Sequence, residues 1–344
     1  MKNKKSPEES GYVPPFKITA SIISLIADIS EIIGRYSIGQ ELAKNLRLRR
    51  ANRIRTIQGS LAIEGNTLSE EQITAILEGK RIIAPPREIQ EVRNAIKVYD
   101  QFSNWSPYSE KDLLDAHLIL MTGLLDKPGS FRIGGVGVMV GKSLVHTAPP
   151  AGRVPYLMKD LLHWLKTTDH HSLIAGSVFH YEFEFIHPFE DGNGRMGRLW
   201  QTLILSKWNS VFANIPVESL VYEHQAEYYA ALNQSTNNAE SSPFIEFMLR
   251  MILDALKDVS APEVAPEVTP EVKKMLLVID KEMTRKEIQA KLGLKDEKHF
   301  REKYLQSALK NGLIEMTIPN KPNSRLQKYR LTPKGIAYLK KQKP

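Results

Sequence analysis

The first part of the chain repeats apolar residues at helical spacing. From residue 18 to residue 33 an isoleucine or leucine recurs every three or four positions, while Lys17, Asp28 and Glu31 fall on other faces. The apolar positions are Ile18, Ile22, Leu25, Ile29, Ile32 and Ile33. This spacing predicts an amphipathic helix packed on a core. Residues 37–55 continue the helical pattern with many basic residues, which indicates a solvated basic face.

The same period predicts further helices separated by turn residues. A helix is expected to begin after Thr67, with Ser69 as its N-cap and glutamates in its first turn. Pro85 and Pro86 break the pattern. The later helices are expected over 88–105, 110–124, 154–167, 173–185, 199–208 and 243–256. The fold class is therefore mainly α.

Between residues 128 and 155 the pattern changes from helical to alternating. Residues 131–145 alternate β-branched side chains with glycines, and Gly141-Lys142 suits a tight turn. This predicts a β-hairpin.

A proline-rich stretch divides the chain. Residues 258–271, together with Val272, repeat a Pro-Glu-Val unit three times, which favours an extended, semi-rigid linker. Beyond it, helices are expected over 273–280, 284–291 and 297–311, with Thr284 as a cap, and strands over 313–318 and 327–331. Three helices followed by a two-stranded wing predict a winged-helix domain over 272–344.

The charge is unevenly divided between these parts. The net charge of the chain is +8, but residues 272–344 hold 19 Lys and Arg against 7 Asp and Glu, which leaves 28 against 32 elsewhere. A basic C-terminal domain suggests a polyanionic partner, although a solvated basic face is also consistent. Lys295, Lys298, His299, Arg301 and Lys303 would lie on the recognition helix, with Lys321 and Arg325 on the wing.

The absence of cysteine excludes a disulfide framework, a thiolate nucleophile and a Cys-ligated zinc site. No run reaches the roughly 18 apolar residues of a membrane span, and the N-terminus lacks the apolar segment of a signal peptide. We therefore expect a cytoplasmic protein with no membrane partner.

The segment 187–198 has a composition that core packing does not require. Its sequence is HPFEDGNGRMGR, and it precedes a predicted helix. Gly192, Asn193 and Gly194 can adopt positive φ, so their N–H groups can cradle an anion at a helix N-terminus. Arg195 and Arg198, three residues apart, can offer planar donor forks to phosphate oxygens.

Two further residues of this segment suit nucleotide chemistry. Asp191 is a hard oxygen ligand suited to Mg²⁺, and His187 is a base that titrates near neutrality. A glycine-rich turn between two helices is the structural alternative. We reject it because a turn needs neither both arginines nor the histidine.

This string resembles the motif His-Pro-Phe-x-Asp/Glu-Gly-Asn-Gly-Arg-x-x-Arg of the Fic family, with all fixed positions present. The resemblance implies transfer of AMP from ATP to a hydroxyl group of a target protein. It implies that His187 is the general base and Asp191 the Mg²⁺ ligand. It also implies that residues 192–194 form the anion hole, that Arg195 and Arg198 bind the phosphates, and that Phe189 anchors the loop.

A second string, SLAIEGN at residues 60–66, resembles the inhibitory motif Ser/Thr-x-x-x-Glu-Gly/Asn of Fic proteins. Ser60 and Glu64 are four residues apart and share a helical face. The resemblance implies that Glu64 pairs with Arg198 and denies it to the γ-phosphate. An ordinary carboxylate at a helix end is the alternative reading.

The resemblance also assigns two less specific regions. Fic proteins carry a β-hairpin flap that adds an edge strand to the target peptide, which implies this role for Val136, Val138 and Val140, unless the hairpin is purely structural. An aromatic residue and an asparagine contact the adenosine in the family. Tyr229 and Asn237 are the candidates by position, although Tyr229 and its neighbour could belong to the core.

His180 lies seven residues before His187. We expect a core histidine and no metal ligand here, because no third ligand is close and no His-Glu-x-x-His spacing is present.

The expected organisation is an N-terminal helical region over 1–95 with an inhibitory helix at about 56–66, a Fic core over 96–257, the linker and the winged helix. The expected function is a protein adenylyltransferase (AMPylation by a nucleotidyltransferase) that uses ATP and Mg²⁺. Its partner would be a target protein or the chain itself. Two alternatives stay open: a hydrolase that removes AMP at the same site, and an ATP-sensing DNA-binding regulator. DNA or another protein could bind the winged helix, and a homo-oligomer is left open.

Overall fold

The computed structural model describes residues 12–39, 46–140, 143–260, 269–294, 296–318, 324–332, 335–336 and 338–339. The chain divides into two compact units, Met1–Ser260 and Ala261–Pro344. Most of the repeated Pro-Glu-Val segment, 261–268, lies outside the described residues. The predicted mainly helical fold class is confirmed.

The N-terminal unit is built from α-helices and one β-hairpin. Its helices are α1 (Ala20–Gly39), α2 (Leu46–Ile63), α3 (Glu70–Leu77), α4 (Pro86–Gln101), α5 (Glu110–Met121), α6 (Val154–Thr167), α7 (Ser172–Ile186), α8 (Asn193–Trp208), α9 (Val217–Glu223), α10 (Gln225–Asn238) and α11 (Ser242–Ser260). Short 3₁₀ turns, Phe102–Asn104, Ala151–Arg153 and Ser210–Asn214, connect some of them. None of the helices in the described part of the chain combines the length and apolar character that a bilayer span requires.

The first helices follow the predicted pattern with one difference in their boundaries. The helix α1 buries its isoleucine stripe, including Ile22 and Ile29, against α11. The predicted helix over 37–55 is wrong as a separate element, because residues 37–39 end α1. The basic stretch from Leu46 and residues 60–63 of the Ser60 string form one continuous helix, α2, whereas Glu64 and Gly65 form the turn after it. Residues 40–45 lie outside the described part.

Local capping explains where the next helices begin. The predicted Ser69 cap of α3 is confirmed, since its hydroxyl accepts from the Gln72 N–H in a capping box. Pro86 occupies the first turn of α4, where a missing N–H costs nothing. Ser109 caps α5.

The predicted hairpin consists of β1 (Gly137–Val140) and β2 (Ser143–Thr147), which pair antiparallel. A register shift between Val138 and Met139 marks a bulge. The predicted turn at Gly141-Lys142 lies outside the described residues.

The helices α7 and α8 form the centre of the N-terminal unit. Both are buried on nearly all sides, so they lack the polar stripe of a surface helix. The helix α8 begins at Asn193, six residues before the predicted start at residue 199. Consequently the second half of the 187–198 segment is the first turn of a buried helix. The helices α9 and α10 were not predicted from the sequence.

The C-terminal unit has its own core. Its elements are α12 (Pro270–Val278), β3 (Met283–Thr284), α13 (Arg285–Lys291), α14 (297–310), β4 (Ile314–Met316) and β5 (Lys328–Leu331). The helix α14 contains a π-helical stretch, Phe300–Gln306. The predicted Thr284 cap is present as a capping box with Glu287.

The strands of the C-terminal unit form an antiparallel sheet in the order β3-β5-β4. Helices and sheet have the order expected for a winged helix, and the short β3 is an addition that alternation could not reveal. The wing tip, 319–323, and Lys295 lie outside the described residues.

Candidate functional site

The 187–198 segment, here the motif loop, joins the end of α7 to the start of α8. His187 ends α7 in the left-handed conformation, with φ 51° and ψ 62°, and its N–H donates to the Phe183 carbonyl at 2.9 Å. A residue with a Cβ pays roughly 1–2 kcal/mol for this backbone conformation. The chain turns away from the helix axis at His187, and Pro188 prevents the helix from continuing. The half-buried imidazole therefore lies on a backbone that the surroundings must hold in place.

Phe189 anchors the motif loop as predicted. Its ring is fully buried and stacks on His117, with ring centroids 3.6 Å apart and an angle of 4° between planes. The Asn193 side chain bonds both the N–H and the carbonyl of Phe189, each at 2.9 Å. The side chain of Asn193 thus closes the loop on itself. Its proposed place in the anion hole rests on its backbone N–H alone.

His117 also supports the motif loop, and no sequence pattern predicted this role. Its Nδ1 accepts from the Gly129 N–H at 2.8 Å, so the ring proton is on Nε2, which donates to the Asp191 carbonyl at 3.0 Å. Burial lowers the pKa of His117 to about 4. His117 is therefore neutral at physiological pH and acts as a fixed donor.

Gly192 starts α8 in a conformation that requires glycine. Its φ is 86°, and a methyl group built on it would meet Met121 Sδ at 2.7 Å. With Gly192 as the N-cap, the first N–H groups of α8 have no partner within their own helix. The positive end of the helix dipole thus falls at the glycine-rich part of the loop, as an anion site requires.

Arg195 belongs to a ring of four alternating charges. It contacts Asp191 at 3.2 Å and Glu91 at 3.6 Å. Arg87 contacts the same two carboxylates, at 3.3 Å and 3.5 Å respectively. We call these four residues the charge ring. Arg87 and Glu91 come from the first turns of α4 and were missed by the sequence analysis, although their i, i+4 spacing is that of a helical ion pair.

The charge ring fits a nucleotide carrying Mg²⁺. The described residues include no cluster of three or more His, Cys, Asp or Glu side chains that could enclose a metal. Mg²⁺ is commonly held by one or two carboxylates together with substrate phosphates, and the Asp191 side chain is 40% exposed. The Nε and Nη1 atoms of buried Arg195 have no hydrogen-bond acceptor in the described part of the chain. Phosphate oxygens would satisfy such donors.

Arg198 is bound by Ser60 of α2 and by Glu64, which directly follows α2. Its Nη2 donates to Glu64 Oε1 at 2.6 Å and to the Ser60 carbonyl at 3.0 Å, and its Nε donates to the Ser60 hydroxyl at 3.3 Å. Burial opposes the charge of Arg198, but the Glu64 carboxylate, together with Tyr228 and Glu184, outweighs it and raises the pKa of Arg198. The ion pair implied by the resemblance is present. Its inhibitory role stays a prediction.

Glu64 also lies against the motif loop itself. A methyl group built on Gly194 would collide with Glu64 Oε1 and would approach Arg198 Nη1 to 3.0 Å. The carboxylate therefore occupies the space directly beside the proposed anion hole. A phosphate bound there would face both a steric obstacle and a negative charge.

The end of α2 is held in this position by two polar contacts. Gln225 of α10 donates to the Ile63 carbonyl at 2.8 Å, and Gly65 ends the helix with φ 89°. The Asn66 amide donates to Glu91 of the charge ring at 2.8 Å. The string at 60–66 thus contacts Arg198 directly and Arg195 through Glu91.

The remaining predicted residues are less closely tied to the loop. Tyr229 is half-buried beside Tyr228, with ring centroids 5.4 Å apart, whereas Asn237 is exposed near the C-terminal end of the same helix. Val136 is half-buried, and its carbonyl accepts from the Ala148 N–H. Side chains of Val138 and Val140 lie outside the described part. These assignments stay predictions.

The core position expected for His180 is confirmed. The residue is fully buried, its Nδ1 donates to Gln201 Oε1 at 2.6 Å, and its Nε2 accepts from the Tyr228 hydroxyl at 3.2 Å. It is a hydrogen-bonded core histidine.

Two family profiles match the sequence. Residues 107–205, which include the motif loop, match the Fic/DOC family. Residues 270–332 match the family described as "Filamentation induced by cAMP protein Fic-like, C-terminal domain".

Curated relatives match more than half of the chain. The chain is 32% identical over 203 residues to "Protein adenylyltransferase fic-1" of Caenorhabditis elegans, covering 56% of this chain and 38% of the relative. It is 31% identical over 219 residues to "Protein adenylyltransferase Fic" of Aedes aegypti, covering 59% and 42%. The matches therefore span only about two fifths of the length of these relatives.

Solved structures extend the similarity to both units. A fragment of Fic-1 from C. elegans superposes with a TM-score of 0.54 at 24% identity, covering 69% of this chain and 70% of the fragment, which supports the fold alone. The crystal structure of a Fic family protein from Desulfovibrio desulfuricans G20 superposes with a TM-score of 0.72 at 50% identity, covering 94% of this chain and 99% of that one. With half of its residues identical over nearly the full length of both chains, this chain belongs to the Fic family.

Proposed function

We propose that this Fic protein transfers AMP from ATP to a hydroxyl group of a target protein and that Glu64 inhibits the transfer. The observation that carries the proposal is the motif loop, which presents a left-handed His187, a glycine-capped helix N-terminus and two buried arginines three residues apart. The names of the curated relatives, protein adenylyltransferases, support it.

The residues of the loop divide the chemistry. His187 would accept the proton of the attacking Ser, Thr or Tyr hydroxyl as its oxygen bonds the α-phosphorus and the bond to the β-phosphate breaks. Arg195 and Arg198, together with the N–H groups at the start of α8, would neutralise the charge that builds up on the leaving pyrophosphate. Asp191 would hold Mg²⁺, which supplies charge neutralisation on the phosphates when bound.

The inhibition follows from the contacts of Arg198. Ser60 and Glu64 use its Nε and Nη2, so the planar fork that should meet the γ-phosphate faces α2 instead. ATP would then bind in a pose in which the hydroxyl cannot attack the α-phosphorus in line with the leaving group. A coupling between two sites is typically worth about 1–3 kcal/mol, or roughly 5–150-fold in affinity, and the same range is expected for the share of ATP bound in the productive pose.

Radiolabelled ATP tests both parts of the proposal. Glu64→Gly should raise AMP incorporation by about 5–150-fold over the parent, into target protein in a lysate or into the chain itself. Adding His187→Ala to that variant should lower incorporation by about 10²–10⁴-fold. Glu70→Gly, a change to an exposed acidic residue at the start of α3, is the matched control and should leave the parent rate unchanged. Equal rates for Glu64→Gly and the parent would remove the inhibitory role.

Removal of AMP by the same site is the second candidate. The Glu64 side chain is 32% exposed, so its carboxylate could orient a water while it still contacts Arg198. An AMP-modified protein should then lose its label with the parent chain and retain it with Glu64→Gly, the reverse order of the transfer assay.

For the C-terminal unit we propose a polyanionic partner such as DNA. Lys298, His299, Arg301 and Lys303 of α14 are all exposed, and so is Arg325 next to the wing tip. Such contacts would make binding fall steeply with salt. Binding that is independent of salt would favour a protein partner. Tight salt-dependent DNA binding without transfer by Glu64→Gly would favour the ATP-sensing regulator.

A further inference from the structure

We propose that Arg132 is a positioning residue that joins the base of the β-hairpin to the backbone of His187. The proposal rests on the proposed function, since it assigns Arg132 the task of keeping the target strand and the general base in register. Arg132 lies just before the hairpin and is 6% exposed.

The guanidinium group of Arg132 contacts the chain on both sides of the hairpin. Its Nη1 donates to the Gly134 carbonyl at 2.8 Å, and its Nη2 donates to the Pro149 carbonyl at 2.6 Å. Strands β1 and β2 lie between these two carbonyls. One rigid planar group therefore fixes the two ends of the hairpin relative to each other.

The same guanidinium group contacts the end of α7. Its Nε donates to the His187 carbonyl at 2.7 Å, and its Nη2 also donates to the Ile186 carbonyl at 3.2 Å. The Arg132 N–H adds a bond to the Pro188 carbonyl at 2.9 Å. Three consecutive carbonyls around the left-handed His187 are thereby held by one residue. This is the kind of external support that a strained backbone conformation requires.

The partners of Arg132 are carbonyl oxygens and not carboxylates. Burial lowers the pKa of Arg132, and no acidic side chain among the residues described contributes to that shift. A structural arginine would more commonly be paired with an acid when buried. A fork of donors in one plane can reach four carbonyls at once, whereas a lysine ammonium has three donors around one atom.

Hydrogen exchange tests the coupling without any need for activity. In a Glu64→Gly background, we compare Arg132→Gln and Arg132→Lys with the matched control Asn94→Ala. Asn94 is a buried donor to two carbonyls, Leu120 and Thr122, that touches neither the hairpin nor His187. Arg132→Gln should raise exchange in peptides covering 134–149 and 186–190 together, by about tenfold or more, because several charge-assisted bonds are lost. Arg132→Lys should raise both by a smaller factor, and Asn94→Ala should raise neither.

Activity provides the second readout. Arg132→Gln should lower AMP incorporation by about tenfold or more, while the dissociation constant for ATP stays within about twofold, because the phosphate-binding residues lie at the other end of the loop. A rise in exchange confined to one of the two peptides, or wild-type exchange in both Arg132 variants, would overturn the proposal. An equal loss of ATP affinity and transfer would do the same.

Two other outcomes are separable from these. If Arg132→Gln raises exchange throughout the chain, the Arg132→Lys variant decides the question. A rise in both peptides of that variant supports the coupling, and the absence of a rise in both refutes it. If the Glu64→Gly parent transfers no AMP, the proposed function fails, while the exchange result still decides whether Arg132 joins the hairpin to His187.

Discussion

The two ends of the motif loop are held by opposite means. At the His187 end, the Arg132 guanidinium binds backbone carbonyls that belong to the fold itself. At the Arg198 end, the guanidinium is part of the loop, and a carboxylate from α2 binds it. Carbonyl dipoles are fixed in the backbone, whereas a side-chain carboxylate can be displaced by a more highly charged anion. The His187 end, which carries the proposed base, is therefore held in place by the fold. The Arg198 end, which we call the phosphate end, can be released when an anion displaces the carboxylate.

The two ends of the loop also differ in the buried titratable groups beneath them, whose pKa values are shifted in opposite directions. His117, under the Asp191 end of the loop, has a pKa lowered to about 4 by burial. Glu218 of α9 lies under α2, close to Arg198, and burial raises its pKa to about 7. Its Oε1 accepts from Thr202 and Tyr99, while its Oε2 has no partner in the described part of the chain. Burial therefore favours the neutral form of both groups.

Glu218→Gln carries the largest expected effect on stability. Its folded-state pKa of about 7 exceeds the unfolded value of 4.5, so the unfolded chain loses its proton first. The contribution of Glu218 is fully present below pH 4.5 and is lost as pH rises to about 7, on the order of 3 kcal/mol. Glu218→Gln should therefore match the parent at about pH 4 and be more stable by about 3 kcal/mol at about pH 8 in denaturant unfolding.

The contribution of His117 to stability changes with pH in the opposite direction, over a pH range that overlaps that of Glu218. Its folded-state pKa of about 4 lies below the unfolded 6.5, so its contribution is present above pH 6.5 and is lost as pH falls toward 4. The Glu218→Gln variant lacks the pH dependence that Glu218 contributes. Its free energy of unfolding should therefore fall as pH is lowered from 6.5 toward about 4. A parent and variant with parallel pH profiles would show that Glu218 is already ionised in the fold.

Gly59→Ala tests whether the phosphate end can be released from a distance. Gly59 lies on α2, and a methyl group built there would meet the Glu218 and Ser219 backbone of α9 at 2.7 Å. Since backbone cannot yield as a side chain can, α2 should shift outward, with a loss of about 1–3 kcal/mol in stability. AMP incorporation should rise toward the level of Glu64→Gly.

Gly34→Ala is the control for this change. Gly34 is an exposed residue of α1 with no atom within 4 Å of the added methyl group, so stability should stay the same or rise slightly. Full inhibition in Gly59→Ala, despite a lower stability, would show that the Arg198 contact does not depend on how α2 packs.

Arg87→Ala is expected to have the smallest effect. Arg87 contacts Asp191 at 3.3 Å and its side chain is 59% exposed, so the pair should contribute about 1 kcal/mol or less. Because Arg87 would compete with Mg²⁺ for the same carboxylate, its removal should lower the Mg²⁺ concentration needed for nucleotide binding by up to about fivefold. Calorimetry measures this, with Arg93→Ala, an exposed arginine of the same helix, as the control. A higher Mg²⁺ requirement would instead make Arg87 a phosphate ligand.

Much of the fold could be predicted because local sequence patterns encode it. The isoleucine stripe of α1, the Ser69 and Thr284 caps and the alternating hairpin each depend on neighbours within a few residues. The elements that were not predicted lack such a local pattern. The helix α9 is only seven residues long, the helix α10 lacks a strong apolar period, and the two-residue β3 exists only because β5 lies beside it.

The sequence by itself determined the motif loop, because its residues are consecutive and their relative positions follow from one turn and one helix start. Tertiary structure decided what holds that loop. Arg87, Glu91, His117 and Arg132 lie 55 to 104 positions from the loop residues they contact. Contacts over such separations depend on how helices pack, and no local pattern of charge or hydrophobicity encodes which arginine will meet which carbonyl or carboxylate.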